Sequence, residues 1–327
     1  MNKKERVAVN GMILVTALFW GSSYAIRKMG LEHMGPFFFN GLRFFTAFLF
    51  VISAYFIQSK IMNKGIQEES NTLKPISYQI WGGVFAGITY GVGSAFQQWG
   101  LIFTIAGKVG FISSLYTVLV PLISWLILKK VVRKQVWIGS VFAFAGLSLI
   151  SFDGGFGISA ADSALFISAV IFSIQIIVVG HFSKHSNPLI LVSAQMFIGA
   201  LISMVLAMIF ETGNTLSGVI QGLFPIIYSG LFSLGLANIL QSYAQKKASS
   251  SVTAIVLSFE SIFAALFGIV LLSERMNLQQ WTGCLLIFSA VLISQVDIKA
   301  IKKGSVLKQD AGSDCRGNQG SHSNDFE

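Results

Sequence analysis

The chain has 327 residues, of which 54% are hydrophobic and only 11% charged, and its net charge is +9. A soluble domain normally carries about twice that charged fraction, and a single core could not hide so much apolar surface. The apolar runs are long and continuous, so membrane-spanning helices are predicted rather than a barrel. The basic residues lie in short clusters between these runs, which indicates membrane topology and a lipid partner, not a nucleic-acid partner.

About 20 apolar residues are needed to cross a bilayer as a helix. On this measure the chain contains about ten spans, and their even number places both termini on the same side of the membrane. The hydrophilic stretch 297–327 is expected to be a disordered tail. The predicted spans are 8–28, 36–58, 78–99, 105–128, 135–152, 162–181, 188–210, 222–245, 250–272 and 279–296.

Lys and Arg are unevenly distributed between the two sides of these spans. With the N-terminus inside, most of the 23 Lys and Arg residues fall on the inner segments, and the outer helix ends hold only Arg27, Lys28, Lys108 and Arg275. This bias predicts cytoplasmic N- and C-termini. The expected location is the plasma membrane of a bacterial cell.

The second part of the chain repeats the first. Segment 97–151 aligns without a gap on 241–295, with Trp137 on Trp281 and Gln97 on Gln241. Two five-helix halves, 8–152 and 162–296, are therefore predicted. Because five is odd, the second half enters the membrane inverted, which is an architecture suited to alternating access. The predicted fold class is an all-α membrane protein of two inverted five-helix repeats.

Several short motifs resemble those of the EamA family in the drug/metabolite transporter superfamily. They are 19–25 (FWGSSYA), 42–44 (LRF), the segment 99–121 and 257–275, and they occur in the family's order across residues 8–296. One position departs from the family pattern, because Ser261 stands where a proline usually follows the glutamate. The resemblance implies a secondary transporter, usually an exporter of small metabolites, amino acids or drugs.

Glu260 is the most informative single residue. It lies about ten residues into its span, roughly 15 Å deep at 1.5 Å per residue. Ionisable residues at that depth face the bundle interior or water and commonly carry function. Proton coupling and substrate contact are the functional hypotheses, and a structural hydrogen bond between helices is the alternative. Tyr116 occupies the equivalent position in the first half.

Arg43 lies about seven residues into the second predicted span. It could bind one carboxylate of a substrate, or its side chain could extend to the membrane interface. The other candidates for the substrate or coupling site are polar or aromatic residues inside spans, each with interhelical packing as the alternative. These candidates are Tyr116, Trp20, Ser23, Tyr90, Asn238 and Ser258, with Gln97, Ser114, Gln175, Gln195 and Gln241 as further polar residues.

No cofactor and no metal are predicted. The sequence lacks the GxxxxGK[ST] run of an ATP-binding loop and the HExxH pair of a zinc site. The two cysteines form no disulfide framework. The spans also lack the cluster of His, Asp or Cys that a membrane-embedded enzyme would need.

The predicted function is export of a small-molecule substrate by alternating access, with proton coupling as a hypothesis. An uncoupled facilitator or exchanger of the same fold is the first alternative, and a channel or receptor is the second. The sequence leaves the substrate, the coupling ion and a homodimer open. The scarcity of buried charge argues against multiply charged cargo.

Overall fold

The computed structural model describes residues 2–62, 73–129, 131–151, 159–273 and 278–295. Residues 1–294 form one compact unit, and a second unit covers 295–327, where only Gln295 is described. The predicted tail and most of the 59–77 connection therefore lie outside the described residues. The α-helices are α1 (Lys3–Leu31), α2 (Pro36–Met62), α3 (Ile76–Ile102), α4 (Ala106–Ser113), α5 (Tyr116–Leu126), α6 (Lys134–Ser151), α7 (Ala160–Phe182), α8 (Pro188–Phe210), α9 (Leu216–Gln221), α10 (Leu223–Tyr228), α11 (Ala237–Gln245), α12 (Ser250–Leu257), α13 (Phe259–Leu272) and α14 (Leu278–Gln295).

The described part of the chain is helical, and it is suited to lipid. Seven helical stretches are long and apolar enough to cross a membrane. Large apolar side chains point outward from the bundle, such as Met208 at 81% and Leu285 at 67% exposure. Water would not tolerate so many of them, so the chain is a multi-pass membrane protein. The seven stretches are Lys4–Leu31, Pro36–Lys60, Ala106–Leu126, Ala160–His185, Pro188–Phe210, Leu223–Gln245 and Ser250–Leu272.

Local sequence signals fix where several helices begin. Asn2 and Glu5 form a capping box at the start of α1, and Ser159 and Asp162 form another at the start of α7. The first turn of α2 is capped from elsewhere in the chain, because the Glu211 carboxylate accepts the backbone N–H groups of its second and third residues. A carboxylate at a helix N-terminus satisfies free N–H groups and complements the helix dipole.

The two predicted halves interlock rather than fold side by side. Helix α1 packs mainly on α13 and α11, while α2 packs on α8 and α3 packs on α7 and α8. The same pattern appears from either half. The first helix of the second half, α7, packs on α3, α4 and α5 of the first half, just as α1 packs on α11, α12 and α13 of the second. Most of the interhelical contact therefore joins one half to the other.

A ridge of small residues lets α3 approach α8 closely. A Cβ atom added to Gly83 would lie 2.5 Å from the Ala194 side chain, and one added to Gly87 would lie 2.7 Å from Ile198. A Cβ added to Gly91 would lie 3.1 Å from the Gly199 backbone. Small residues at such a crossing allow backbone-to-backbone packing in membranes.

The helix ends meet at two faces of the bundle. At the N-terminal face, where α1 begins, Lys247 pairs with Glu5 at 2.8 Å. At the far face, where α1 ends, Lys108 pairs with Asp162 at 2.8 Å. The Lys28 ammonium also donates to the Thr104 carbonyl there. Both Lys28 and Lys108 therefore have partners at the far face.

Two stretches predicted as continuous helices are broken at matching positions. The break between α4 and α5 falls at Ser114 and that between α12 and α13 at Ser258, 144 residues later. Both serines stay in the right-handed region with ψ near zero (−1° and −16°), so each break is a locally tightened turn. A further irregularity is the π-helix Ser229–Leu236 between α10 and α11, a feature frequent at functional sites.

Candidate functional site

A polar cavity lies inside the bundle, where the broken helices meet α1, α2, α3 and α7. Its volume is about 30 Å³, enough for only one or two water molecules. Sites for small organic molecules usually measure about 300–1,000 Å³, so a ligand could enter only if the helices moved apart. The lining residues are Trp20, Ser23, Tyr24, Arg27, Arg43, Tyr90, Gln97, Tyr116, Phe172, Gln175, Ile176, Ser233 and Glu260.

Glu260 is buried in the wall of this cavity, in the first turn of α13. The α12 segment before it has eight residues, which corresponds to about 12 Å of helix. Tyr24 from α1 donates its hydroxyl to Oε1, and Tyr116 from α5 donates to Oε2 at 2.7 Å. The carboxylate therefore joins three helices, and both of its oxygens are satisfied by protein hydroxyls.

The Tyr116 hydroxyl has two acceptors within reach but only one proton to give. Besides Glu260 Oε2 at 2.7 Å, the carbonyl oxygen of Leu257 lies 3.1 Å away at the end of α12. When Glu260 is ionised, the hydroxyl can donate to the carboxylate. When Glu260 is protonated, its own O–H can donate to Tyr116, which frees the tyrosine proton for the carbonyl at the helix break.

A hydrogen-bonded chain connects Glu260 to a buried arginine. Gln97 donates from Nε2 to the Tyr24 hydroxyl at 3.0 Å, and its Oε1 accepts from Arg27 Nη1 at 2.8 Å. Arg27 also donates from Nε to Gln98 Oε1 at 2.8 Å. Glu260 makes no ion pair in the part of the chain that the structure describes. Its hydrogen-bonded connection to Arg27 runs through a tyrosine and an amide.

Arg43 is fully buried beside this chain, and its hydrogen bonds are incomplete. Its Nε donates to Asn40 Oδ1 at 2.9 Å, and its Nη2 donates to Ser94 Oγ at 3.2 Å. Its Nη1 is buried and has no hydrogen-bond partner in the described part of the chain. The burial of Arg43 contradicts the interfacial alternative, because the side chain does not reach the surface of the bundle.

The π-helix supplies the remaining wall of the cavity. Trp20 Nε1 donates to the Ser233 carbonyl of this segment at 2.9 Å. Ser233 Oγ donates to Ser23 Oγ at 3.1 Å, and Asn238 of α11 donates to the Tyr90 hydroxyl at 3.3 Å. These bonds attach α1 to the π-helix and α3 to α11.

A second cavity of about 300 Å³ lies at the N-terminal face. Its wall contains two cationic side chains, Arg133 and Lys184, and the serines 249–251 at the start of α12. At the far face, the start of α4 is the position equivalent to the start of α12, and there Lys108 pairs with Asp162.

Most of the residues proposed from sequence do meet at the central cavity. Glu260, Arg43, Tyr116, Trp20, Ser23 and Tyr90 line it, whereas Asn238 and Ser258 lie behind the wall and bond to Tyr90 and to the Ile255 carbonyl. Their roles in binding or coupling stay predictions.

Sequence reasoning missed Tyr24 and misplaced Arg27, which it assigned to an outer helix end. Arg27 is buried because α1 continues to Leu31, one turn beyond the predicted end at residue 28. A helical-face analysis would have found both residues. With Trp20 and Ser23 they occupy positions i, i+3, i+4 and i+7, which share one side of a helix.

Comparison with known proteins identifies the family of this chain. The sequence pattern of the EamA-like transporter family matches residues 9–152 and again residues 159–295. The chain belongs to the EamA-like transporter family. A solved crystal structure, 17% identical to this chain, aligns with a TM-score of 0.68 over 88% of this chain and 96% of its own. At that identity the likeness concerns the fold.

The curated relatives of this EamA-like chain are also named transporters. An "Uncharacterized transporter" of Archaeoglobus fulgidus is 33% identical over 290 residues, which cover 89% of this chain and 86% of the relative. The "Uncharacterized transporter YoaV" of Bacillus subtilis is 24% identical over 290 residues, which cover 87% and 95%. These names describe transport and no catalytic activity.

Proposed function

We propose that this EamA-like protein is a proton-coupled secondary transporter that exports a small molecule by alternating access. The observation that carries the proposal is the buried Glu260 carboxylate, held by Tyr24 and Tyr116 where the broken helices meet. Discontinuous helices at the junction of two repeats are the usual setting of transporter binding sites. A buried carboxylate with no cationic partner at contact distance is suited to taking up and releasing a proton.

The proposed inverted arrangement of two five-helix halves is supported by three separate features. The family pattern matches twice, the interhelical packing is preserved when the halves are exchanged, and the breaks at Ser114 and Ser258 are 144 residues apart. In alternating access, each half would in turn open one face while closing the other.

The proposed coupling acts through the two acceptors of Tyr116. Protonation of Glu260 would transfer the tyrosine hydrogen bond from the carboxylate to the Leu257 carbonyl, which lies at the break. The groups that face the carboxylate are Tyr24 and Arg27 from α1 and Tyr116 from α5. A change in proton occupancy would thus alter a bond at the break between α12 and α13.

We infer that the N-terminal face is cytoplasmic. Basic residues concentrate there among the described residues, including Lys4, Lys134, Lys184 and Lys246, whereas the far face has Lys28 and Lys108. This distribution follows the positive-inside rule. Impermeant labelling of a tag on the N-terminus in intact cells would contradict the orientation.

The coupling can be tested in proteoliposomes loaded with a bacterial metabolite extract. With an imposed pH gradient, we expect wild-type vesicles to release specific compounds, detected by mass spectrometry, at a rate that depends on the gradient. Glu260→Gln cannot exchange a proton, so its rate should fall at least tenfold or lose its dependence on pH. Glu5→Gln, which changes an exposed glutamate, is the matched control.

Release by the Glu260→Gln variant at the wild-type rate and with the wild-type pH dependence would exclude proton coupling through this residue. Release that is independent of the gradient in both proteins would favour an uncoupled exchanger of the same fold. Release of nothing beyond the leak of empty vesicles would argue against transport of small molecules.

A further inference from the structure

The central cavity carries two buried N–H donors that have no acceptor. Arg43 Nη1 and Gln175 Nε2 both belong to side chains of the cavity wall, and neither has a hydrogen-bond partner among the described residues. An unpaired buried donor costs about 1–3 kcal/mol, and native structures contain few of them. Two such donors in one small cavity indicate a missing acceptor.

The oxygens of the cavity wall show the opposite pattern. Among the described residues that line the cavity, no buried side-chain oxygen lacks a partner. Both Glu260 oxygens accept tyrosine hydroxyls, and Gln97 Oε1 accepts from Arg27. An anionic group would therefore find two free donors there.

The balance of charge around the cavity favours one negative charge. The charged residues of its wall are Arg27, Arg43 and Glu260, two cations against one carboxylate. Binding of a monoanion would neutralise this excess, and a second negative charge would exceed it while Glu260 is ionised. The second cavity, lined by Arg133 and Lys184, adds a positive field that concentrates anions at the N-terminal face.

The rest of the wall is aromatic and apolar. Trp20, Tyr90, Phe172 and Ile176 face the same space, and Tyr90 packs edge-on against Phe172 with ring centroids 5.7 Å apart. These residues would contact a hydrocarbon or aromatic body by dispersion and burial.

We propose that the substrate is a small organic monocarboxylate with an apolar body, whose carboxylate is bound by Arg43 Nη1 and Gln175 Nε2. This assignment rests on the proposed transport function and narrows its substrate to one charge class. A planar guanidinium with a free Nη1 group and an amide N–H of the same cavity wall can together satisfy both carboxylate oxygens. The cavity must widen from its present volume to admit such a molecule.

Three probes of matched size separate the charge classes: phenylacetate, phenylacetamide and phenethylammonium. Equilibrium dialysis of the full-length protein in detergent at pH 7 should show phenylacetate binding at least tenfold more tightly than the other two. Tighter binding of the cation, equal binding of all three, or binding of none would overturn the assignment.

Two variants identify the donors. Arg43→Gln and Gln175→Met should each weaken phenylacetate binding at least fivefold and leave phenylacetamide binding unchanged, because only the carboxylate needs both N–H groups. Gln175→Met keeps the side-chain volume, so the test holds even if Arg43→Gln does not fold. Lys60→Gln, which removes an exposed cation outside the cavity, is the control and should bind phenylacetate like the wild type. Unchanged phenylacetate binding in folded Gln175→Met protein would exclude the proposed pair.

The metabolite-release experiment distinguishes this inference from the transport function. If wild-type vesicles release only neutral or cationic compounds, transport stands and the carboxylate assignment is wrong. If they release monocarboxylates, and Arg43→Lys does so more slowly, both are supported.

Discussion

Arg27 is the residue whose surroundings differ most from those expected. Its guanidinium is buried and bonds to the side-chain oxygens of Gln97 and Gln98, and so ties α1 to α3. Neither amide oxygen has another donor among the described contacts. A buried oxygen left unpaired costs about 1–3 kcal/mol. Arg27 is therefore expected to stabilise the bundle as well as to charge the cavity.

Replacing Arg27 by methionine should lower the thermal unfolding midpoint in detergent by several degrees. The cause is the loss of hydrogen bonds to Gln97 and Gln98, an effect on the order of 2 kcal/mol. Lys28→Met is the matched control, because Lys28 bonds to one carbonyl near the bundle surface and its loss should change the midpoint by less than half as much. Equal midpoints for the Arg27 variant and the wild type would contradict the network.

The buried position of a charged residue could be predicted from sequence when that residue stands alone in an apolar run. Glu260 and Arg43 are of this kind, and both line the cavity. Arg27 is not of this kind, because Lys28 follows it and two adjacent cations are typical of the end of a span. An error of a few residues in a helix boundary was enough to move a buried residue to the surface.

At the scale of elements, the sequence predicted where helices lie but not where they break. Ser114 and Ser258 are ordinary residues for an apolar helix, and no proline stands at either position. Hydrogen bonds between residues distant in sequence stabilise the breaks. Thr117 Oγ1 donates to the Ala254 carbonyl, and the Tyr116 hydroxyl lies within hydrogen-bond distance of the Leu257 carbonyl. Because these contacts join residues far apart in sequence, no local sequence pattern predicts the breaks.

The small-residue ridge of α3 yields a prediction at the same scale. Gly87→Val would bring a Cβ atom to 2.7 Å from Ile198 and 2.8 Å from the Gln195 carbonyl, so α3 and α8 would have to separate. Overpacking of this kind costs about 1–3 kcal/mol, and we expect a lower unfolding midpoint and at least tenfold slower release of substrate.

Gly11→Val is the matched control for this change. It introduces the same β-branched residue into a helix at a position where an added Cβ meets no atom within 4 Å. It should therefore behave like the wild type apart from its helix propensity. An equal loss in both variants would mean that propensity, and not the crossing of α3 with α8, explains the effect.

At the scale of the whole molecule, an ion pair lies at one face of the bundle and a cavity at the other. At the far face, Lys108 and Asp162 form an ion pair between the two predicted halves, with side chains 32% and 13% exposed. The N-terminal face has the cavity of about 300 Å³ instead. In an alternating-access cycle, opening of the far face requires that this ion pair break.

Lys108→Ala and Asp162→Ala should each change the release rate about two- to tenfold because both remove this ion pair, and Asp162→Ala also removes one bond of the capping box of α7. The double variant should resemble Asp162→Ala alone, because Lys108→Ala removes nothing further once Asp162 is gone; this non-additivity is the signature of a direct interaction. Glu5→Ala breaks the more exposed Lys247–Glu5 pair, with side chains 55% and 40% exposed, and should have little effect. Additive effects of the Lys108 and Asp162 changes would show that the pair does not act as a unit.

The interlocking of the halves has a consequence for biosynthesis. Helix α1 leaves the ribosome well before its main partner, α13, because more than 200 residues separate the two helices. Until the second half is inserted, the buried arginines of the first half cannot pack near the helix that carries Glu260, and they face lipid or an insertase. Membrane-embedded chaperones should therefore bind nascent chains that end before α13, and chains truncated there should be degraded quickly.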